Sequence, residues 1–394
     1  MIGAVIQITA KNSQDSILTG KPVFNFIKQV YKQYDNFALE ETKILPNEPL
    51  DFGKNITFTI LNLGDLLHKL YFCFTLPALV PTSGTYAAWT NSIGHAIIDT
   101  IDITINDTIY VRQHGLYMEI NNELSKETDD PDNKLIGKYL HTSMLQYNAI
   151  ESSEYKVPLV YWFTENIGAS LPLYKLQNSK IEIKLKLKPF SECIIYDGLT
   201  PPSISKVENS FLSAQYIFVN DSFKLKNQGT ETFIFEELQY SNPSNVSKTD
   251  LTFNHQCKEL IFVLREIASE QNNDHFNFSV RNSSVFTPVR PILDSAKLIL
   301  DTKDREDFKS SSELSILNNS RYHNGSNKHI YTMPFCSEPA KWIPTGSLNF
   351  SAFTHVVLYL KLINAFPPCK LYIFARTYNW ITIENGFASI SYNV

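Results

Sequence analysis

From residue 180 to 188, apolar and charged side chains alternate without a fault: Ile181, Ile183, Leu185 and Leu187 are set against Lys180, Glu182, Lys184, Lys186 and Lys188. That period of two predicts a β-strand with its aliphatics on one face and its charges on the solvent face. Residues 100–110 repeat the pattern, with Ile101, Ile103, Ile105 and Ile109 against Asp102, Thr104 and Asn106. Further strands are expected at 56–61, 69–76, 213–219, 232–239, 259–264, 296–300, 354–362 and 369–376. Several such runs in each half of the chain, separated by turn residues, indicate an all-β sandwich or barrel architecture.

Helical spacing is local. Phe24, Ile27, Tyr31 and Tyr34 fall near one face of a short amphipathic helix, and residues 115–124 predict another between strands. Neither could be the core of a helical protein. The polar stretches 125–133, 241–248, 266–274 and 310–327 are expected to be loops, the last long and rich in Ser and Asn. Gly198 and the pair Pro201-Pro202 follow a strand pattern and precede a new one, so a domain boundary is expected at 200–205. The two parts have similar length and class, without a position-by-position repeat.

Composition supports this picture. Hydrophobic residues make up 43% and charged residues 19% of 394, enough for two cores, and the 26 Phe and 20 Tyr favour strands. The net charge of −5 argues against binding nucleic acid through phosphate contacts. The cysteines, Cys73, Cys193, Cys257, Cys336 and Cys369, are scattered and lack CxxC spacing, which fits reduced, buried thiols rather than disulfides or zinc. Residues 1–9 lack the basic and long apolar regions of a signal peptide, and no run approaches a membrane span. A soluble protein made in a cytosol-like setting is expected. Sequons at Asn55, Asn106, Asn220, Asn245, Asn277, Asn282, Asn318, Asn324 and Asn349 are then expected to go unused.

No enzyme constellation emerges. The chain lacks G-x-S-x-G, a phosphate loop and G-x-G-x-x-G. Its histidines (His68, His95, His114, His141, His255, His275, His323, His329, His355) form neither H-x-H nor H-E-x-x-H, against a metal-binding cupin. His323 and His329 are expected to be solvated. Asp301, Asp304, Glu306 and Asp307 crowd one segment, but without a Gly for a calcium loop and with Lys303 and Arg305 among them, so a solvated turn is expected. Glu236-Glu237 would need a partner carboxylate elsewhere to make a hydrolase site. No catalytic, cofactor-binding or metal residue is assigned, and no cofactor is expected.

Five segments resemble the major capsid proteins of nucleocytoplasmic large DNA viruses (the iridovirus, phycodnavirus and mimivirus type). Residues 15–22 (DSILTGKP) and 24–38 (FNFIKQVYKQYDNFA) are similar to the family's amino-terminal D-x-x-L-T-G-x-P and F-[FI]-K-x-V-Y…N-F-A pattern. Residues 157–163 (VPLVYWF), 168–173 (GASLPL) and 176–177 (LQ) resemble its I-P-L-x-F-W-F…A-L-P-L block. Residues 251–263 (LTFNHQCKELIFV) match L-x-F-x-H-P-x-K-E-L-x-W, with Gln256 for the usual Pro and Phe262 for Trp. Residues 344–351 (PTGSLNFS) and 375–381 (ARTYNWI), with Gly386, resemble the closing blocks. All five occur in family order.

The resemblance implies a non-catalytic structural protein. Its fold would be two consecutive eight-stranded jelly rolls, 37–200 and 205–394, after an N-terminal base segment, 1–36, with short helices in that segment and in the loops. It implies a homotrimeric, pseudo-hexameric capsomer in an icosahedral virion capsid assembled in a cytoplasmic viral factory. Partners would be neighbouring capsomers, minor capsid and penton proteins, and an internal viral membrane at the capsomer base, with no direct nucleic acid contact. The alternatives are an assembly scaffold of the same fold, absent from the mature virion, and a carbohydrate-binding jelly-roll protein.

Overall fold

The alternation over 180–188 becomes a central strand, and its aliphatic face is the floor of a core. Ile183 lies between Phe58 and Ile103 in adjoining strands, all three without solvent exposure. The structure, a computed structural model, describes residues 2–10, 15, 19, 21, 27, 34–126, 130–203, 206–280 and 290–392.

Sixteen strands carry the architecture. The first eight are β1 (Phe37–Ile44), β2 (Asn55–Ile60), β3 (Leu66–Leu76), β4 (Ile98–Ile105), β5 (Thr108–His114), β6 (Ser153–Pro158), β7 (Ile181–Leu187) and β8 (Glu208–Val219). The second eight are β9 (Glu231–Ser241), β10 (Lys248–Asp250), β11 (Gln256–Glu266), β12 (Leu293–Leu300), β13 (Lys303–Asp304), β14 (Tyr331–Pro334), β15 (Val356–Leu362) and β16 (Cys369–Glu384). The first set forms sheets of order β1-β8-β3-β6 and β2-β7-β4-β5; the second forms β9-β16-β11-β14 and β10-β15-β12-β13. Adding eight to every label of the first set produces the second. Each half is an eight-stranded jelly roll, two antiparallel sheets closed over one core.

Aromatic side chains fill both cores. Phe72 stacks on Phe74 (4.9 Å between centroids) and Phe74 on Tyr155 (5.4 Å) in the first; Phe262 stacks on Tyr331 (5.2 Å) in the second. Among the short accessory strands, Ala87–Trp89 pairs with Ile194–Tyr196.

Several expectations need correction. Strand β8 lies beyond the division expected at 200–205, yet it pairs with β1 and β3, so the strand sets divide between Val219 and Glu231. Proline and glycine mark a break in that region, but the break is a loop within the first half. Residues 100–110 are not one strand but the β4–β5 hairpin. Asn106 and Asp107 both take positive φ (51° and 64°) between the paired Ile105 and Thr108, a two-residue turn of the type that matches strand twist. The reversal leaves Ile109 exposed rather than aligned with Ile101, Ile103 and Ile105. On β7, Glu182 does not face solvent; it is buried and paired with Lys180 (2.6 Å) and Lys184 (3.6 Å).

The stretch 310–327, expected as a loop, is helical from 311 to 322. Glu313 Oε2 accepts from Ser310 N and Oγ, both at 2.7 Å, while Ser310 Oγ receives Glu313 N at 3.3 Å. This S-x-x-E reciprocal bonding is a capping box, which starts a helix despite a polar composition. Leu314 then anchors the segment in the second core. Residues 266–274 likewise contain a short helix, Ile267–Gln271.

The expected helix after β5 is Gly115–Ser125, and it joins the halves. Its Tyr117, Ile120 and Leu124 pack with Ile261 and Val263 of β11 and Tyr372 and Phe374 of β16. The opposite faces of those strands (Leu260, Phe262, Leu371, Ile373) line the second core. Strands β11 and β16 are therefore buried on both sides here, which is why each carries an unbroken apolar run without alternation, 260–264 and 371–375. Gly115 opens the helix where no side chain fits: a Cβ there would sit 2.1 Å from His95 O and 2.3 Å from Ile98 O.

The contacts set Met1–Asn36 apart from Phe37–Val394. Within the former, Ile2–Thr9 is a helix with Val5, Ile6 and Ile8 exposed and Thr9 Oγ1 bonded to Val5 O at 2.8 Å. The helix expected over 24–34 lies outside the described residues, apart from Ile27 and Tyr34.

Candidate functional site

The residues most suggestive of chemistry in the sequence are already committed to structure. Alternation along β9 separates Glu236 from Glu237. Glu236 pairs with Arg376 (2.6 Å) and Lys258; Glu237 accepts from Asn379 Nδ2 (3.1 Å), with His255 Nδ1 at 3.5 Å. Asp301 Oδ1 accepts the backbone N–H groups of Thr354 (2.9 Å) and His355 (3.0 Å), bracing the β12–β13 turn. Asp304 holds Lys297 at 2.7 Å and Glu306 holds Arg305 at 2.7 Å. Among the described residues, no group of three or more His, Cys, Asp or Glu is placed to hold a metal ion. All five cysteines are free thiols.

His323 was expected in solvent and is buried instead, its Nε2 2.7 Å from Glu259 Oε1. The capped helical segment carries it back against β11. His329 is half-buried, and that burial pushes its pKa down.

The densest charge lies between the halves. Glu119 and Glu123, one turn apart on the helix Gly115–Ser125, share one face. Glu119 is within 2.8 Å of His95 Nδ1, 3.5 Å of Lys138 and 2.9 Å of Lys328; Glu123 is 2.8 Å from both lysines. Burial alone would raise the Glu119 pKa, but Lys328, Lys138 and His95 together hold it well below the usual carboxylate range. Lys328 is pushed up: the cost of burying its charge is outweighed by the two carboxylates. Lys328 comes from the second half, so this cluster spans the seam. Asn324 adds to it, donating from its backbone N to Leu124 O (3.0 Å) and from Nδ2 to Ser125 O, which satisfies carbonyls at the helix end.

A second cluster surrounds Arg376. It donates to Glu236, to Glu259 Oε2 (3.4 Å) and to Pro339 O (3.1 Å). Burial and the Arg376 charge lower the Lys258 pKa, against the pull of Glu236. Glu165 has its pKa raised, by burial and by Glu236. Arg376 and Glu165 border a cleft of about 430 Å³ whose lining also includes Tyr71, His95, Asn121 and His323. The cations and carboxylates answer one another rather than converge on a reacting atom. What the arrangement does is hold two jelly rolls in one orientation.

Sequence reasoning missed this seam, although one signal was available. Two acidic residues four apart on the inner face of a predicted helix repel each other and require buried cations from elsewhere.

At one end of the first half, the segments around 77–91, 138–152 and 194–200 lock together. Asp197 Oδ1 accepts from Thr85 N (3.0 Å) and Tyr86 N (2.8 Å), and Gln146 Nε2 donates to Thr85 O (2.8 Å). From this braced rim Val80, Met144, Tyr147, Ile150 and Leu199 project into solvent, Leu199 fully exposed. Rigid loops presenting apolar side chains suit protein contacts.

Comparison with known proteins agrees with this division. The family model described as "Major capsid protein N-terminus" matches residues 25–221, and that of the large eukaryotic DNA virus major capsid protein matches 228–389. Their junction falls where the strand sets divide. The major capsid protein of Pyramimonas orientalis virus is 26% identical over 417 aligned residues, covering 100% of both chains. That of Phaeocystis pouchetii virus is 24% identical over 522, again covering 100% of both. A solved structure, the quasi-atomic model of the PBCV-1 virus capsid, superposes with a TM-score of 0.79 at 20% identity, covering 94% of this chain and 100% of that one. The double jelly roll is common to both folds.

Proposed function

From its membership of the large eukaryotic DNA virus major capsid protein family, to which this chain belongs, we propose that it assembles as a homotrimer whose six jelly rolls make a pseudo-hexagonal capsomer. The role is structural, as a component of the virion capsid, and the question that remains is how copies associate. One observation carries the proposal: the two halves have the same strand order, in the same sequence, and are joined by a buried seam. Three rigid pairs of like units around a threefold axis give six nearly equivalent positions. A threefold ring needs a heterologous interface, and two similar but non-identical jelly rolls supply its two sides.

The partners follow from that arrangement. Neighbouring capsomers would meet at the perimeter, with minor capsid and penton proteins filling the positions a hexagonal lattice leaves. The segment 1–36 would lie at the capsomer base, toward an internal membrane; the exposed Val5, Ile6 and Ile8 of its helix support an apolar contact there. Assembly would take place in the host cytoplasm, in keeping with the free thiols.

Light scattering after size-exclusion chromatography tests the trimer. A stable species of about 135 kDa, three times the 45.1 kDa chain, is expected, with a hexagonal outline in electron micrographs. A monomer that persists at micromolar concentration overturns the proposal.

A further inference from the structure

A second junction between the halves is made by one turn. Asn273, at φ 56°, donates from Nδ2 to Ser191 O (2.7 Å) and Ile194 O (2.8 Å), and its own carbonyl accepts from Thr90 Oγ1 (2.6 Å). Two residues on, the ring of His275 is buried with Nε2 2.7 Å from Glu192 O. A carbonyl can only accept, so Nε2 carries the proton. Nδ1 is then the bare nitrogen, and it is buried with no hydrogen-bond partner among the described residues.

The surroundings oppose a second proton on this ring. Lys188, just past β7, and Arg265, on β11, both raise the local positive potential. Arg265 Nη1 donates to His275 O (3.0 Å), and its Nη2 bonds Tyr372 and pairs with Glu270 at 3.1 Å. Glu270 is shared with Lys370 at 2.7 Å. Asp274 is taken by Asn277 Nδ2 at 2.9 Å. Glu192 meets the ring through its carbonyl. Among the described residues, no carboxylate bonds to the bare nitrogen.

We propose that residues 273–275 are an acid-released latch between the two halves: closed, the turn seats in the first half; open, the freed His275 takes up a proton. The sign follows from linkage. Burial, with Lys188 and Arg265, pushes the closed-state pKa down to about 3, against 6.5 for an ordinary histidine. The closed form therefore has its full stability above 6.5 and loses it as the pH falls toward 3. In that window the opening constant rises about tenfold per pH unit. The other bonds of the turn to the first half do not titrate, so the latch weakens by degrees.

Amide hydrogen exchange on the full chain at pH 7.5 and 5.5, corrected for intrinsic rates, tests it. Peptides covering 190–194 and 272–276 are expected to lose about tenfold in protection, while those covering β4 do not change. His275→Gln keeps an N–H donor for Glu192 O and removes the titrating ring, so its protection should be the same at both pH values. Asn273→Ala should raise exchange in both peptides at both pH values and retain the tenfold pH effect. Equal wild-type protection at the two pH values overturns the latch, as does a tenfold loss that persists in His275→Gln. Unchanged exchange in Asn273→Ala overturns the docking role of the turn.

Discussion

Lys328 Nζ, from the second half, stands 2.9 Å from Glu119 Oε1 in the first. Glu119 is fully buried, and the lysine keeps only 17% of its side chain exposed. Two charges removed from solvent cost several kcal/mol each, and mutual attraction offsets that only with good geometry and further hydrogen bonds. Here the further bonds come from Glu123, Lys138 and His95. The pair ties the segment between β13 and β14 to the helix after β5.

Lys328→Met leaves Glu119 and Glu123 with Lys138 and His95 alone. A loss of about 3–5 kcal/mol is expected, the usual range for stranding a buried charge, read as a lower denaturation midpoint. Adding Glu119→Gln to Lys328→Met should recover part of it. A single variant within about 1 kcal/mol of wild type would mean that the pair is not coupled as the distances imply.

The same cluster sets a response to acid. Glu119 has its folded-state pKa held below the ordinary 4.5, after burial is overcome by Lys328 and Lys138. Its contribution is complete above the ordinary value and is lost as pH falls through the lower, folded one. Denaturation curves from pH 6 to pH 3 should steepen below 4.5 for the wild type and be flatter for Glu119→Gln. Parallel curves would remove Glu119 from the account. The His275 window opens at 6.5 and overlaps this one below 4.5, so the His275→Gln and Glu119→Gln variants, rather than pH alone, separate the two effects.

Gly115→Ala tests the close approach at the start of the helix. The added methyl would sit about 2 Å from two carbonyl oxygens, and backbone cannot yield as a flexible side chain can. Overpacking of this kind costs about 1–3 kcal/mol, against a helix-propensity gain of under about 1 kcal/mol. A net loss is expected by thermal denaturation. A gain would show that the helix shifts to make room.

The half-buried strands were legible because one face of each meets water. In β7 that contrast is written into alternate residues, and the aliphatic face was assigned correctly. In β11 and β16 it is absent: both sides are covered, and the core face cannot be told from the seam face without the other half in place. The β4–β5 hairpin was hidden by polarity that continued the alternation through Asn106, although Asn-Asp is itself a turn signal. The helix from 311 was readable from Ser310 and Glu313, and was overlooked because Ser and Asn dominate there. The family was recognisable from short blocks that survive substitution. The seam clusters join residues more than two hundred positions apart, such as Glu119 and Lys328, and no local pattern specifies such pairing.

Burial of the helix Gly115–Ser125 by β11 and β16 has a consequence in time. Translation delivers the eight strands of the first half while the strands that cover Tyr117, Ile120 and Leu124 are not yet made. At about 5–20 residues per second, tens of seconds separate Leu124 from Phe374. During that interval the first eight strands leave the ribosome with an apolar helix face and two acidic residues uncovered, and without Phe235, Ile381 and Ile383, which the second half adds to their core. A ribosome that stalls after β8 therefore releases a fragment with an uncovered apolar helix face and an incomplete core, the kind of surface that drives aggregation.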